Sequence, residues 1–329
     1  MAELPLSESS SGDQLPIEFV QRLKRIVPSE KLASVLASFS ATKPTTFRIN
    51  TLRGSIEDIV GRLELLQIDM KPVPWFCDTS GQPLAYQVAH EHREQLTHNP
   101  VVDAGLIYVQ NLSSMLAPRM LGAFPGETIL DLAAAPGGKT TQLAQMMENT
   151  GVLSAVEPVK KRMFKLRANL ERCGVSNTRI YQTDGRTVGH KTPNRFDRVL
   201  LDAPCSSEAR FRAGDPKSWA TWSQRKIRET SRKQIGLLKS AIHATRSGGR
   251  ILYCTCSLSP EENEQVIHKT LKKFGDQVSL IPVELPIENL QDGIVEFDEK
   301  SFDPQVKLCR RVLPTEVMDA FFIACFVKA

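Results

Sequence analysis

Apolar and polar positions along the chain switch between helical and strand periods, and the order of those switches predicts the architecture. Between residues 16 and 39, Phe19, Leu23 and Ile26, then Leu32, Val35 and Leu36, recur at helical spacing. The interruption at Pro28 divides them into two short helices. The stretch Thr45-Thr46-Phe47-Arg48-Ile49-Asn50-Thr51-Leu52-Arg53 alternates as a strand does, and Ser55 stands where it caps a helix over 56–66. Residues 71–100, with Pro72, Pro74, Gly81 and Pro83, predict a loop-rich connection carrying short strands.

Beyond Gly105 the pattern becomes apolar run, glycine turn and helix, repeated several times. Apolar runs cover 128–132, 151–156, 178–182, 196–202 and 249–254, with helical patterns over 140–147, 160–173 and 223–244. A last continuous run, 320–327, suits a buried strand that closes the sheet. The order predicts an α/β protein wound around a parallel sheet. The expected division is a mobile tail over 1–15, a smaller N-terminal α+β domain over 16–103 and a larger α/β domain over 104–329.

Composition changes little in this picture. Hydrophobic residues make up 41% and charged residues 24%, as in ordinary globular proteins. No stretch approaches the roughly 20 apolar residues of a membrane span, and the polar start does not read as a secretion signal, so a cytoplasmic protein away from the membrane is expected. The cysteines number seven, an odd count without paired spacing, which favours reduced thiols over disulfides. The net charge of +5 is compatible with a polyanionic partner and does not by itself argue for one.

The chemistry begins at Asp131-Leu132-Ala133-Ala134-Ala135-Pro136-Gly137-Gly138-Lys139-Thr140, which follows a predicted strand and opens a predicted helix. Small residues let backbone N–H groups approach a ligand, and a helix N-terminus adds partial positive charge. A phosphate-binding P-loop is disfavoured, because the residue five before Gly138 is Ala133 rather than glycine. Glu157 ends the next predicted strand, where a carboxylate accepts hydrogen bonds from both ribose hydroxyls of a nucleoside cofactor. Asp184 ends the strand after that and suits an adenine amino group. Together with the loop, the two acids outline a pocket for an adenosyl ligand.

These segments resemble the RNA 5-methylcytosine methyltransferase family (Nop/Sun, RsmB/RsmF type). The likeness rests on Ala133 to Lys139, on Glu157 with Arg162 five residues on, and on Asp184. It extends to Arg48-Ile49-Asn50-Thr51-Leu52-Arg53, Tyr108-Val109-Gln110-Asn111-Leu112-Ser113-Ser114-Met115, Arg311-Val312-Leu313-Pro314 and Phe321-Phe322. The resemblance implies a Rossmann-like class I S-adenosylmethionine methyltransferase sheet with a smaller N-terminal α+β domain. It implies that Ala133, Ala134, Ala135, Pro136, Gly137, Gly138 and Lys139 surround the methionine moiety of S-adenosylmethionine, with Glu157 and Arg162 at the ribose, Asp184 at the adenine and Asp202 beside the cofactor. No metal is expected.

Two cysteine segments carry the implied reaction, Asp202-Ala203-Pro204-Cys205-Ser206 and Cys254-Thr255-Cys256-Ser257. C5 of cytosine is a poor nucleophile, but addition of a thiolate to C6 concentrates electron density on C5. By resemblance Cys256 is that nucleophile and Cys205 assists release after methyl transfer. Asp202 acts at N3 of the base, the Pro204 carbonyl accepts from the exocyclic amine, and Lys139 orients Asp202 or supports a thiolate. Cys77, Cys173, Cys254, Cys309 and Cys325 read as small buried hydrophobes. Asp-Ala-Pro-Cys argues against an exocyclic amino methyltransferase, and the Thr-Cys-Ser segment argues for RNA over DNA.

Cationic positions at Lys160, Lys161, Arg162, Lys165, Arg167 and Arg172, and at Arg225, Lys226, Arg228, Arg232 and Lys233, suit a phosphate backbone or a solvated helix face. Phe211, Trp219 and Trp222 either stack on a splayed base or pack their loop. The family runs Ser-Gly-x-Gly after Cys205, whereas this chain has Ser206-Ser207-Glu208-Ala209; its Gly-Phe-Phe is Ala320-Phe321-Phe322. With the closing strand ending near Ala329, RNA choice is expected to rest on the N-terminal domain and the catalytic face. The expected function is methylation of cytosine C5 in rRNA or tRNA, as part of rRNA or tRNA processing, by a monomer. The alternative is a catalytically silent RNA-binding or ribosome-assembly factor with the same fold; two retained thiols favour the enzyme.

Overall fold

The computed structural model describes residues 15–329. The tail read over 1–15 lies outside them except for Leu15, which is buried. Two helices, α1 (Ile17–Ile26) and α2 (Ser29–Ser38), form on either side of Val27 and Pro28. Phe19, Leu23 and Ile26 make the buried stripe of α1.

A smaller unit follows: β1 (Thr45–Ile49), α3 (Ile56–Glu64), β2 (Met70–Pro72), β3 (Ala85–Val88), α4 (Arg93–Thr97), α5 (Pro100–Asp103) and β4 (Ile107–Val109). Ser55 caps α3, its side chain accepting from the Asp58 N–H at 3.1 Å, as the sequence predicts. The strands form an antiparallel sheet in the order β2-β3-β1-β4 around Phe47, Ile49, Ile59, Leu63 and Ile107.

The larger unit contains α6 (Leu112–Leu121), β5 (Thr128–Asp131), α7 (Gly138–Met146), β6 (Val152–Val156), α8 (Lys160–Arg172), β7 (Thr178–Tyr181), α9 (Val188–Lys191), β8 (Phe196–Asp202), α10 (Gln224–Ala244), β9 (Thr245–Thr255) and α11 (Glu264–Phe274). After them come β10 (Val278–Ile281), β11 (Leu290–Asp292), a short hairpin of β12 (Glu296–Phe297) and β13 (Lys300–Ser301), β14 (Arg310–Val312) and β15 (Phe321–Lys328). The sheet order is β11-β14-β15-β9-β8-β5-β6-β7, with β10 added against β15. Strands from β7 to β9 run parallel, while β15 is antiparallel to β9. This is the expected Rossmann-like sheet beside a smaller α+β unit. Strand order reverses at β5, which opens a crevice beyond the carboxyl ends of β5, β6 and β8.

Packing groups the chain differently from the division drawn at residues 103 and 104. β4 lies beyond that point yet pairs with β1, Ile107 facing Ile49. α1 and α2 belong to the large core, where Phe19 meets Phe211 with ring centroids 4.8 Å apart. A helical stripe states that a face must be buried, not against which partner. Among the described residues no helix is long and apolar enough to cross a membrane.

Arg48 joins the two units. Its side chain is fully buried on β1 and donates to Gln110 Oε1 at 3.1 Å, to Gln145 Oε1 at 2.6 Å and to the Thr141 hydroxyl. Gln145 and Thr141 lie on α7, so a buried guanidinium fork on neutral acceptors sets the small sheet against the helix that follows the glycine loop.

Candidate active site

The loop after β5 is held at both ends before any ligand is considered. The Leu132 N–H donates to the Leu200 carbonyl at 2.9 Å and the Ala134 N–H to that of Val156 at 2.9 Å. Arg162 donates to the Ala135 carbonyl at 2.7 Å, and Asn169 to that of Pro136 at 2.8 Å. The Ala135–Pro136 peptide is cis, and Gly137, at φ +114°, takes a backbone conformation that glycine adopts without a Cβ clash. A Cβ on Gly138 would come within 3.1 Å of the Tyr108 ring. The small residues are thus required by close approach of α8 and Tyr108 as well as by any ligand.

Asp131, at the end of β5, accepts from Thr140 Oγ1 at 2.7 Å, while its other carboxylate oxygen is buried without a partner. Burial raises its pKa to about 6. Just past the end of β6, Glu157 is buried; it accepts from the Val159 N–H at 2.9 Å and pairs with Arg162 at 3.2 Å. Asp184 instead accepts from the Arg186 N–H at 2.9 Å and pairs with its guanidinium at 2.6 Å, which holds its pKa below the usual value. Arg186 was not singled out from sequence; an i,i+2 pair in a turn carries no periodic signal.

A cleft of about 520 Å³ runs along these strand ends. Of the expected cofactor residues, Ala133, Ala135, Pro136, Glu157, Arg162, Asp184 and Asp202 line it, with Cys205 and Cys256 at the same cleft. Ala134, Gly137, Gly138 and Lys139 stand behind that lining. Lys139 reaches Asp202 Oδ2 at 2.6 Å and Ser114 Oγ at 2.8 Å. Burial pulls its ammonium pKa down, but Asp202 and the neighbouring Cys254 and Cys256 outweigh that and raise it. The expected orienting role therefore has a geometry, with Ser114 as an unforeseen third member.

The two cysteine segments converge because β8 and β9 are parallel neighbours, Asp202 facing Cys254 in register. Their loops bring Cys205 Sγ and Cys256 Sγ to 3.3 Å. A hydrogen bond from the Cys205 thiol lowers the Cys256 pKa, with further help from Arg210 and Ser207, while the Cys205 thiol is held up in turn. Cys254 is buried with its sulfur 3.6 Å from Asp202 Oδ1.

Glu208 is the main residue that sequence reading missed. Its buried carboxylate accepts from five donors: the Leu258 and Ser259 N–H groups, each at 2.8 Å, Ser257 Oγ at 3.0 Å, Ser259 Oγ at 2.6 Å and Trp222 Nε1 at 2.8 Å. It fastens the loop of Cys205 to the turn that follows Cys256. Its burial follows from contacts about fifty positions away, which no local pattern reports.

Other expectations resolve toward packing. Phe211 is buried, and Trp222 stacks edge-on to Phe19 at 5.9 Å, so these rings pack the loop on α1. The Pro204 carbonyl, expected to meet an exocyclic amine, accepts from Gln234 Nε2 at 2.9 Å and retains a second lone pair. Cys173, Cys254, Cys309 and Cys325 are buried, but Cys77 is only half-buried because its loop lies at the surface. Arg172 leaves the cationic face of α8 to donate to the Val102 carbonyl at 2.6 Å. Lys165 on α8 and Lys233 on α10, with Arg210, line the cleft.

Residues 118–327 match a family model described as 16S rRNA methyltransferase RsmB/F. Residues 15–112 match one described as the N-terminal domain of 16S rRNA methyltransferase RsmF. A ribosomal RNA small subunit methyltransferase F from Vibrio atlanticus is 39% identical over 297 residues, covering 89% of this chain and 61% of its own length. One of the same name from Erwinia tasmaniensis is 36% identical, over 82% of this chain and 56% of its own. The chain thus spans about three fifths of these curated relatives. Among solved structures, a methyltransferase homolog from Pyrococcus horikoshii superposes with a TM-score of 0.77 at 32% identity, covering 96% of this chain and 100% of its own. NSun6 from the same organism, solved with SFG, has a TM-score of 0.78 at 23% identity over 95% of this chain and 98% of its own, and shares the fold.

Proposed function

Since the chain belongs to the 16S rRNA methyltransferase RsmB/F family, we propose that it methylates C5 of a cytosine in small-subunit ribosomal RNA, using S-adenosylmethionine and a covalent bond from Cys256 to C6. The observation that carries this reading is the pair of sulfurs 3.3 Å apart beside the Lys139–Asp202 ion pair. An exocyclic amino methyltransferase has no use for two such thiols.

The cleft residues fit the cofactor. About 520 Å³ suits a small-molecule site, and the acids at the ends of β6 and β7 suit a ribose and an adenine amine. Ala133, Ala134, Ala135, Pro136, Gly137 and Gly138 would surround the methionine part, Glu157 with Arg162 the ribose, and Asp184 the adenine. When bound, S-adenosylmethionine supplies the electrophilic methyl group.

The remaining chemistry belongs to the chain. Cys256, its thiolate favoured by the Cys205 hydrogen bond, adds to C6 and turns C5 into a nucleophile. Asp202, held by Lys139, supports a proton at N3, which makes C6 more electrophilic. Cys205 assists as the Cys256–C6 bond breaks and the C5 proton is lost. Arg162, Lys165, Arg210 and Lys233 around the cleft suit the phosphates that flank a splayed nucleotide. The likeness to ribosomal RNA small subunit methyltransferases favours ribosomal over transfer RNA.

The test is transfer of labelled methyl to small-subunit ribosomal RNA, with mapping of C5. Cys205→Ala should accumulate a covalent protein–RNA adduct, and Cys256→Ala should neither methylate nor crosslink. A crosslink that survives Cys256→Ala would remove that residue as nucleophile. Lack of transfer to any RNA would favour a silent assembly factor.

A further inference from the structure

Ser207 occupies the place where the family pattern has its first glycine after the cysteine pair's earlier member, and its backbone is left-handed, φ 61° and ψ 32°. Glycine takes that conformation freely, whereas an L-residue there is strained by about 1–2 kcal/mol. The side chain gained in exchange lines the cleft. Its hydroxyl oxygen lies 3.7 Å from Cys256 Sγ, within range of a sulfur hydrogen bond.

The neighbours of Ser207 give this contact a built frame. The Ser206 N–H donates to Glu262 Oε1 at 2.9 Å, and Glu208 is locked by its five donors, four of them from residues 257–259 beyond the nucleophile. Ser207 is therefore pinned between two anchored residues, with a short side chain that has Cys256 in reach.

We propose that Ser207 is a catalytic residue whose hydroxyl stabilises the thiolate of Cys256, and that the glycine-to-serine departure in this chain adds a thiolate partner to the site. As a thiol, Cys256 donates to Ser207 Oγ. When Cys256 ionises, its proton leaves to solvent through the open cleft, and the Ser207 O–H rotates to donate to the sulfur anion. The other groups facing that sulfur are Asp202 at the end of β8, Cys205 and Arg210 from the loop that follows it, and Lys139 from α7. Cys205, Arg210 and Ser207 favour the anion and Asp202 opposes it. A hydroxyl both donates and accepts, so Ser207 can serve Cys256 in either protonation state.

The inference rests on Cys256 being the nucleophile, so its test reads the thiol directly. The pH dependence of Cys256 alkylation by iodoacetamide is followed by peptide mapping in the full chain and in Ser207→Ala and Ser207→Gly. Both variants should move the midpoint upward by about half a pKa unit, roughly a threefold slower alkylation at neutral pH. Methyl transfer should fall with the same displacement of its pH profile. Ser207→Gly relieves the left-handed strain and should melt no lower than the parent, which separates the effect from loss of fold. An unchanged midpoint in both variants overturns the proposal. Crosslinking that persists in Cys256→Ala would overturn the nucleophile assignment while leaving the alkylation result to stand for the thiolate contact.

Discussion

Lys139 Nζ lies 2.6 Å from Asp202 Oδ2, so the first turn of α7 and the end of β8 are joined by one ion pair at the cleft. Removing the cation leaves a half-buried carboxylate without its orienting partner. Lys139→Met should lower single-turnover methyl transfer about 10²–10³-fold, a magnitude usual for loss of a positioned electrostatic group. S-adenosylmethionine affinity, measured by calorimetry, should change far less, because Lys139 stands behind the cleft lining.

Glu208 makes the second prediction. Glutamine offers one acceptor oxygen where five donors converge, and its amide hydrogens face other donors. Glu208→Gln should destabilise the fold by about 2–3 kcal/mol, read from denaturant unfolding. The pH dependence of Cys256 alkylation should change as well, since the turn that follows Cys256 is released.

Asp131 provides a pH signature. Burial raises its pKa from 3.8 to about 6, so the folded chain keeps this proton to higher pH than the unfolded chain does. Its ionisation therefore weighs against the fold as pH rises from about 4 through 6. The melting temperature of Asp131→Asn relative to the parent should rise across that interval and level off above it. A difference that does not vary with pH would contradict the assignment.

Arg48 is buried among neutral acceptors on both units, and burial lowers its pKa to about 10. It remains charged below pH 9 and contributes no pH dependence there. Arg48→Met should leave Gln110, Gln145 and Thr141 without their donor and cost about 3 kcal/mol. Arg48→Lys should not restore the parent, since one ammonium cannot span three acceptors. Cofactor affinity should fall in both, because α7 follows the loop that lines the cleft.

Much of this site was legible without coordinates because its parts are local. A strand ending at Asp131, a run of small residues and a helix opening at Gly138 are written in contiguous positions. Glu157, Asp184, Asp202 and Cys256 could be assigned to successive strand ends because each apolar run ends there. Period and turn chemistry act over a few residues, so they survive in one dimension.

Packing decided the rest. The helical stripe of α1 demanded burial, and only the folded chain directed Phe19 onto Phe211 rather than onto the smaller sheet. Trp222, open to a base-stacking role in the sequence, became a donor to Glu208, a carboxylate whose remaining partners lie 49 to 51 positions away. The sequence shows only that serine stands at 207 in place of a glycine; three-dimensional proximity sets its hydroxyl 3.7 Å from Cys256 Sγ. Hydrogen bonds and aromatic contacts depend on distance in space, and chain order constrains that distance only within an element.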